Sequence, residues 1–311
     1  MAKRILFIHG RDRKPSKENL EAIWLEAAAH GLHRDHGLTI RKQFEQTNKE
    51  FVYFGDLSNA LLGESAEDPE SRWEALGRLQ ALDRAQFSAQ GYQRMRGASW
   101  IKPALISWLA SPLGRLGLAK PFIGIIAADL RAYWSAKSNH GTQLRNRLKH
   151  VLHEAWSGHD EILLVAHSLG SIIAYDTLWQ CSWADTSPQR NKQVQRIDLL
   201  ITLGSPLGDR TVQRQLMGAN LKGLNRYPTC INRWENLAAK DDYICHDRLL
   251  CDDFDGMREL GLLPGGLHDH FIHNLNLRAD RSNPHASVGY LIHPTFSQLL
   301  ANWLRSKPGG L

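Results

Sequence analysis

The amino-acid sequence predicts an α/β fold, a mostly parallel, doubly wound sheet covered by helices on both faces. Two observations carry this expectation. Short, continuously apolar runs recur along the chain, at Arg4–Gly10 (RILFIHG), Ile162–Val165 (ILLV) and Arg196–Leu203 (RIDLLITL). Runs of this length without polar alternation suit strands that are buried on both sides. From Arg145 onward, such runs alternate with segments of helical pattern, as parallel strands joined by crossover helices require.

In chain order, Arg4–Gly10 reads as a buried strand that leads into a basic, turn-rich loop, Arg11 to Lys17. A helix is expected from Ser16 or Lys17 to His30, with Gly31 as its stop. Phe51–Phe54 is a second short strand, ended by Gly55-Asp56, and Leu57 to about Ala98 is polar and helical in pattern. Residues Trp100–Trp134 are apolar, but Pro103, Pro112 and Pro121 break them into short pieces. A helix over Thr142–Trp156 leads to the strand Ile162–Val165, and a further helical segment covers Ser171–Trp179. Strands at Thr229–Trp234 and His268–Leu277 and a closing helix at Thr295–Leu304 complete the expectation.

A chain of 311 residues can hold one large α/β domain with an insertion. Its 42% hydrophobic and 23% charged content is that of a globular protein rather than a disordered one. Lys3-Arg4 precedes an apolar run of only five residues, which is too short for a secretory leader. Cys181, Cys230, Cys245 and Cys251 lack a framework spacing and read as reduced thiols. A cytoplasmic setting is therefore expected. The net charge of +6 is unevenly spread. Between Gln90 and Lys137 stand seven cations and one anion, Asp129, an excess equal to that of the whole chain. Such a patch suits an anionic membrane surface or an acidic partner; nucleic acid is not expected, because no recognition motif accompanies it.

The chemistry centres on Ala166-His167-Ser168-Leu169-Gly170. A serine with small residues two positions before and after it, between a strand and a helix, describes a nucleophile elbow. Its hydroxyl needs a histidine to take its proton, a carboxylate to orient that histidine, and donors for an oxyanion. Leu169 offers one backbone N–H at a helix start, and Gly10 or Arg11, after the first strand, offers a second. Asp242, two residues before Ile244, suits the carboxylate better than Asp241. His285, in a loop ahead of the last helix, is the favoured base, and His293, just before Pro294, is the alternative. His9, His167, Trp100 and Trp108 are candidate substrate contacts. The cluster His268-Asp269-His270, with His273, invites a metal reading; on a strand His268 and His270 would share a face, but no third ligand at a typical spacing completes the set, so neither metal nor cofactor is expected.

The order Ser, Asp, His, the elbow AHSLGS, the His9-Gly10 turn and the strand-ending LGSPL resemble the α/β-hydrolase superfamily. Within it, HSLGSIIAYDTL is similar to intracellular lipase and esterase branches that include inositol deacylase-like and DDHD-type phospholipases. Ala166 departs from the commoner glycine. The resemblance implies an α/β-hydrolase fold with a helical cap and hydrolysis of a carboxylic ester through an acyl-enzyme on Ser168. It covers the first ten residues and roughly Ala128 to Leu304; the core is expected at residues 1–56 and 138–311 and a largely helical insertion at 57–137. The apolar residues of 100–134 would form the underside of a cap that receives a lipid-like or acyl-chain substrate. The same residues would also serve as plain packing on the sheet. A thioesterase or acyltransferase would use the same three residues, whereas a non-catalytic binding or membrane-surface protein would need none of them.

Overall fold

The computed structural model describes residues 2–63, 65–98, 130–135, 137–183, 195–245, 247–278 and 280–307, the side chains of 96–98 excepted. Six strands form one wholly parallel sheet: β1 (Lys3–Ile8), β2 (Asn48–Val52), β3 (Glu161–His167), β4 (Ile197–Leu203), β5 (Ile231–Ala239) and β6 (Leu267–Ile272). Their spatial order is β2-β1-β3-β4-β5-β6.

Side-chain alternation sorts the strand residues to two faces. Ile5, Phe7, Leu163, Val165, Leu199 and Ile201 share one core with α1 (Lys17–His36), α2 (Leu38–Gln46), α4 (Glu70–Gln80), α11 (Ser287–Leu291) and α12 (Pro294–Arg305). Leu6, Ile8, Ile162, Leu164, Ala166 and Leu200 face the other core, filled by α6 (His140–Ser157) and α7 (Leu169–Trp183). Burial on both sides explains why these strands read as unbroken apolar runs. The class is α/β, as expected.

Between β2 and α6 lie α3 (Gly55–Leu62), α4 and α5 (Ala89–Ala98). Leu76, Leu79, Phe87 and Tyr92 from this stretch are buried in the same core as Trp24 and Val288. Short helices α8 (Arg210–Gln213), α9 (Leu250–Asp253) and α10 (Asp255–Glu259) bridge the later strands. Among the described residues, no helix is long and apolar enough to cross a membrane. None of the four cysteines forms a disulfide.

Several boundaries differ from the expectation. Helix α1 runs through Gly31 and stops at Gly37, whose φ of 83° closes it. Gly31 serves packing instead: a Cβ there would meet the Ile292 carbonyl at 3.1 Å, so α1 lies close against the turn between α11 and α12. Strand β5 continues five residues beyond Trp234, drawn into the sheet interior by pairing with β4 and β6. Strand β6 ends at Ile272, and Leu277–Arg278 pairs instead with Arg281–Ser282 as a separate antiparallel ribbon.

The sheet sets the place of the site. The chain runs from β1 to β2 on one side and returns to β3 on the other, so a crevice opens between the loops that follow β1 and β3. Ligands of open α/β sheets bind at such a switch point, beyond the carboxyl ends of the strands.

Candidate active site

Strand β3 ends in a turn that forces Ser168 to φ 55°, a left-handed conformation rare for a side chain with a Cβ and costing about 1–3 kcal/mol. The surroundings hold it there. Ser168 N–H donates to the Leu203 carbonyl (3.0 Å), and its own carbonyl accepts the Ser171 N–H (2.9 Å) and the Ser171 hydroxyl (2.5 Å). Ser171 also shares a 2.8 Å hydrogen bond with Ser205. The need for a small residue two positions on is steric: a Cβ on Gly170 would stand 2.5 Å from the His9 carbonyl. Ala166 is wholly buried, and its methyl group packs in the α6–α7 core.

Ser168, His285 and Asp242 come together from three separate segments. His285 Nε2 lies 2.8 Å from Ser168 Oγ, and its Nδ1 lies 2.8 Å from Asp242 Oδ2 and 3.0 Å from Oδ1. Asp242 follows β5 in a turn closed by its own N–H to the Ala239 carbonyl (3.0 Å). Its Oδ1 accepts the Ile244 N–H at 2.9 Å, and its Oδ2 accepts the Tyr290 hydroxyl at 2.6 Å. The Asp242 side chain is fully buried, whereas that of His285 is 30% exposed, so the imidazole meets the crevice from which the carboxylate is sealed. Gly204 makes this proximity possible. It adopts φ 54°, and a Cβ there would fall 2.7 Å from Asp242 Oδ2 and 3.2 Å from His285 Nδ1.

The loop after β1 closes the other side. A Cβ on Gly10 would lie 2.5 Å from Ser168 Cβ, so the Gly10 main chain stands directly against the serine. His9 accepts the Phe54 N–H at Nε2 (2.9 Å) and therefore donates from Nδ1 to the Gly10 carbonyl (2.7 Å). With that carbonyl engaged in a trans peptide, the Arg11 N–H points the opposite way. Beyond it, Asn59 accepts the Lys14 N–H (3.1 Å) and donates to the Lys14 carbonyl (3.0 Å), while Lys14 Nζ grips the Arg11 carbonyl. Burial, aided by Arg72, pulls the Lys14 ammonium down to about 7. Leu169 N–H, in the first turn of α7, has no carbonyl four residues back inside the helix to receive it.

Two expected substrate contacts prove to be internal braces. His9 is inaccessible, stacks on Phe54 with ring centres 3.9 Å apart, and spends both nitrogens on main-chain partners. Burial, with Lys14 nearby, drives its pKa well below the usual histidine range. His167 is buried and donates from Nε2 to the His285 carbonyl (2.8 Å); burial, with His285 adjacent, drives its pKa well below the usual histidine range. Trp100 and Trp108, with the rest of residues 99–129, lie outside the described residues, as does His246.

The alternatives have other duties. Asp241 accepts the Tyr92 hydroxyl from α5. His293 caps α12, its Nδ1 accepting the Thr295 N–H at 3.1 Å, and burial, with Arg34 close by, pulls its pKa to about 3. His268 and His270 flank the buried carboxylate of Glu235, at 3.4 and 2.6 Å. The places of Tyr290 and Gly204 beside Asp242 were not legible in the sequence. Tyr290 stands five positions after His285, but nothing in the sequence says that its hydroxyl reaches back to Asp242.

No family model, curated protein or solved structure matches this chain.

Proposed function

We propose that the protein is a serine hydrolase that cleaves carboxylic esters through an acyl-enzyme on Ser168, on an α/β-hydrolase fold. The relay Ser168 Oγ–His285 Nε2–His285 Nδ1–Asp242, at 2.8 Å for each contact, carries this reading. The strained serine, the glycines that let the three segments meet, and the switch-point position support it.

In the proposed reaction, Ser168 Oγ attacks the ester carbonyl carbon as His285 Nε2 takes its proton. Asp242 holds the imidazole with Nε2 facing the serine and stabilises the imidazolium. The carbonyl π electrons move onto oxygen, and the anion is received by the N–H groups of Leu169 and of the Gly10–Arg11 loop. Collapse reforms the carbonyl and breaks the ester C–O bond, and His285 gives its proton to the departing alcohol. Water then gives a proton to His285 and attacks the acyl carbon. The second collapse returns the proton to Ser168 and frees the acid. The substrate class we propose is an ester with an acyl chain or lipid-like body. Peripheral contact with an anionic membrane surface is the companion proposal. Both rest on the apolar, basic composition of residues 100–137.

A fluorophosphonate probe and a series of p-nitrophenyl esters of rising chain length test this. Wild type should be labelled, Ser168→Ala should not, and kcat should fall by a factor on the order of 10⁶ in that variant. Wild type that neither labels nor turns over any ester would sink the reading. Turnover confined to the shortest esters would remove its lipid part, and binding to anionic vesicles that ignored salt would remove the membrane part.

A further inference from the structure

We propose that Asn274 and His167 are positioning residues that hold His285 against Ser168 by gripping three consecutive main-chain carbonyls, an inference that rests on the serine-hydrolase reading. His285 belongs to neither helix nor strand: the ribbon ends at Ser282 and α11 begins at Ser287. A loop of this kind has no ladder to fix its carbonyls: the Ala286 carbonyl accepts the Gly289 N–H at 3.2 Å, and the other donors are side chains. Asn274 Nδ2 donates to the Pro284 carbonyl (2.8 Å) and to the Ala286 carbonyl (2.9 Å), one amide hydrogen to each. His167 Nε2 donates to the carbonyl between them, that of His285 itself (2.8 Å).

The grip is rigid at its own base. Asn274 is 1% exposed, and its Oδ1 accepts the Asn276 N–H at 3.1 Å, which fixes the amide with its hydrogens toward the loop. Gly289 leaves the space that this amide occupies, since a Cβ there would fall 1.8 Å from Asn274 Oδ1. His167 precedes Ser168 directly, so its ring ties the nucleophile's own turn to the loop of the base. Its ring lies 4.8 Å from that of His285, centre to centre. Both side chains act on His285 through its backbone, so their contribution is to distance and angle. A displacement of about 1 Å in such a relay can cost on the order of a hundredfold in rate.

The test compares Asn274→Ala, His167→Leu and His167→Gln with wild type in the full chain. It reads kcat and KM on a p-nitrophenyl ester together with the rate of fluorophosphonate labelling. Asn274→Ala and His167→Leu should lower kcat about 10- to 100-fold, with labelling slowed in parallel and KM within about twofold. His167→Gln, whose amide can still donate, should recover most of the loss. Ser182→Ala is the stability control. Ser182 is a buried hydrogen-bonding residue near the far end of α7, about 20 Å from Ser168 along the helix, and its loss should lower thermal stability without changing kcat. Wild-type kcat in folded Asn274→Ala, or equal losses in His167→Leu and His167→Gln, would overturn the proposal. If Asn274→Ala does not fold, the His167 pair decides alone. Unlabelled wild type would defeat the serine-hydrolase reading, whereas labelled wild type matched by Asn274→Ala would defeat only the clamp.

Discussion

Tyr290 donates its hydroxyl hydrogen to Asp242 Oδ2 at 2.6 Å, the same oxygen that stands 2.8 Å from His285 Nδ1. The tyrosine oxygen in turn accepts the Ala239 N–H at 3.0 Å, so one phenol joins the end of β5, the carboxylate and α11. Tyr290→Phe keeps the buried ring but removes a donor from the carboxylate and leaves the Ala239 N–H unpaired. We expect a stability loss of about 1–3 kcal/mol by urea unfolding and a fall in kcat of roughly tenfold. Unchanged kcat in the variant would mean that Asp242 needs no help to hold His285.

Gly10 allows the main chain to lie against the serine. In Gly10→Ala the new methyl group would stand 2.5 Å from Ser168 Cβ and 2.8 Å from His167 Nδ1, neither of which can retreat. Displacing the loop should cost about 10²- to 10³-fold in kcat, as loss of an oxyanion donor does. Gly77→Ala, at an exposed position of helix α4 with nothing within 4 Å of the new methyl group, should leave kcat alone and stabilise by about 0.5–1 kcal/mol. Equal activity in the two variants would refute the steric account.

His293 should make the fold acid-sensitive. Its folded pKa of about 3 lies below the ordinary 6.5, so the unfolded chain binds the extra proton between those values. Its contribution is complete above pH 6.5 and is lost as pH falls toward 3. Near pH 4 the loss should approach about 3 kcal/mol. His293→Asn retains an N-cap acceptor without the titration, so its stability should fall less on acidification. Parallel stability curves for the two proteins would disprove the assignment.

Asp176 acts with the opposite sign. Burial raises its pKa to about 6, although the Met217 N–H and the Tyr133 hydroxyl, each at 2.8 Å, favour the charged form. Its contribution is therefore full below the ordinary 3.8 and is lost as pH climbs through 6. The loss amounts to at most about 3 kcal/mol. Asp176→Asn should be the more stable protein near pH 8, by thermal unfolding, and the two should converge toward pH 4. A variant that is less stable throughout would show that the hydrogen bonds outweigh the burial of charge.

Much of this architecture is legible because it is local. Ile5–Ile8 and Leu163–Val165 are apolar on both faces, so their burial between two helical layers shows in the residues themselves. The elbow is local too, because the turn around Ser168 limits the size of residues within two positions of it. Asp242 could be favoured over Asp241 from its neighbours alone. Helix α1 shows where this reasoning fails. Gly31 looks like a stop, but its missing side chain serves contact with Ile292, more than two hundred residues away.

By itself the sequence determined the class of fold, the strand that carries the serine, and a short set of acids and bases in chain order. Tertiary structure alone decided which of them meet. His285 and His293 are eight residues apart, and only packing makes one a partner of Ser168 and the other the cap of α12. It also made buried braces of His9 and His167, the candidate substrate contacts, and brought Asn274, Gly204 and Tyr290 around Asp242 and His285. The physical reason is the range of the forces involved. Strand burial and turn sterics act between neighbours in the chain. A hydrogen bond that spans 117 residues, as between Ser168 and His285, is set by the packing of the whole sheet.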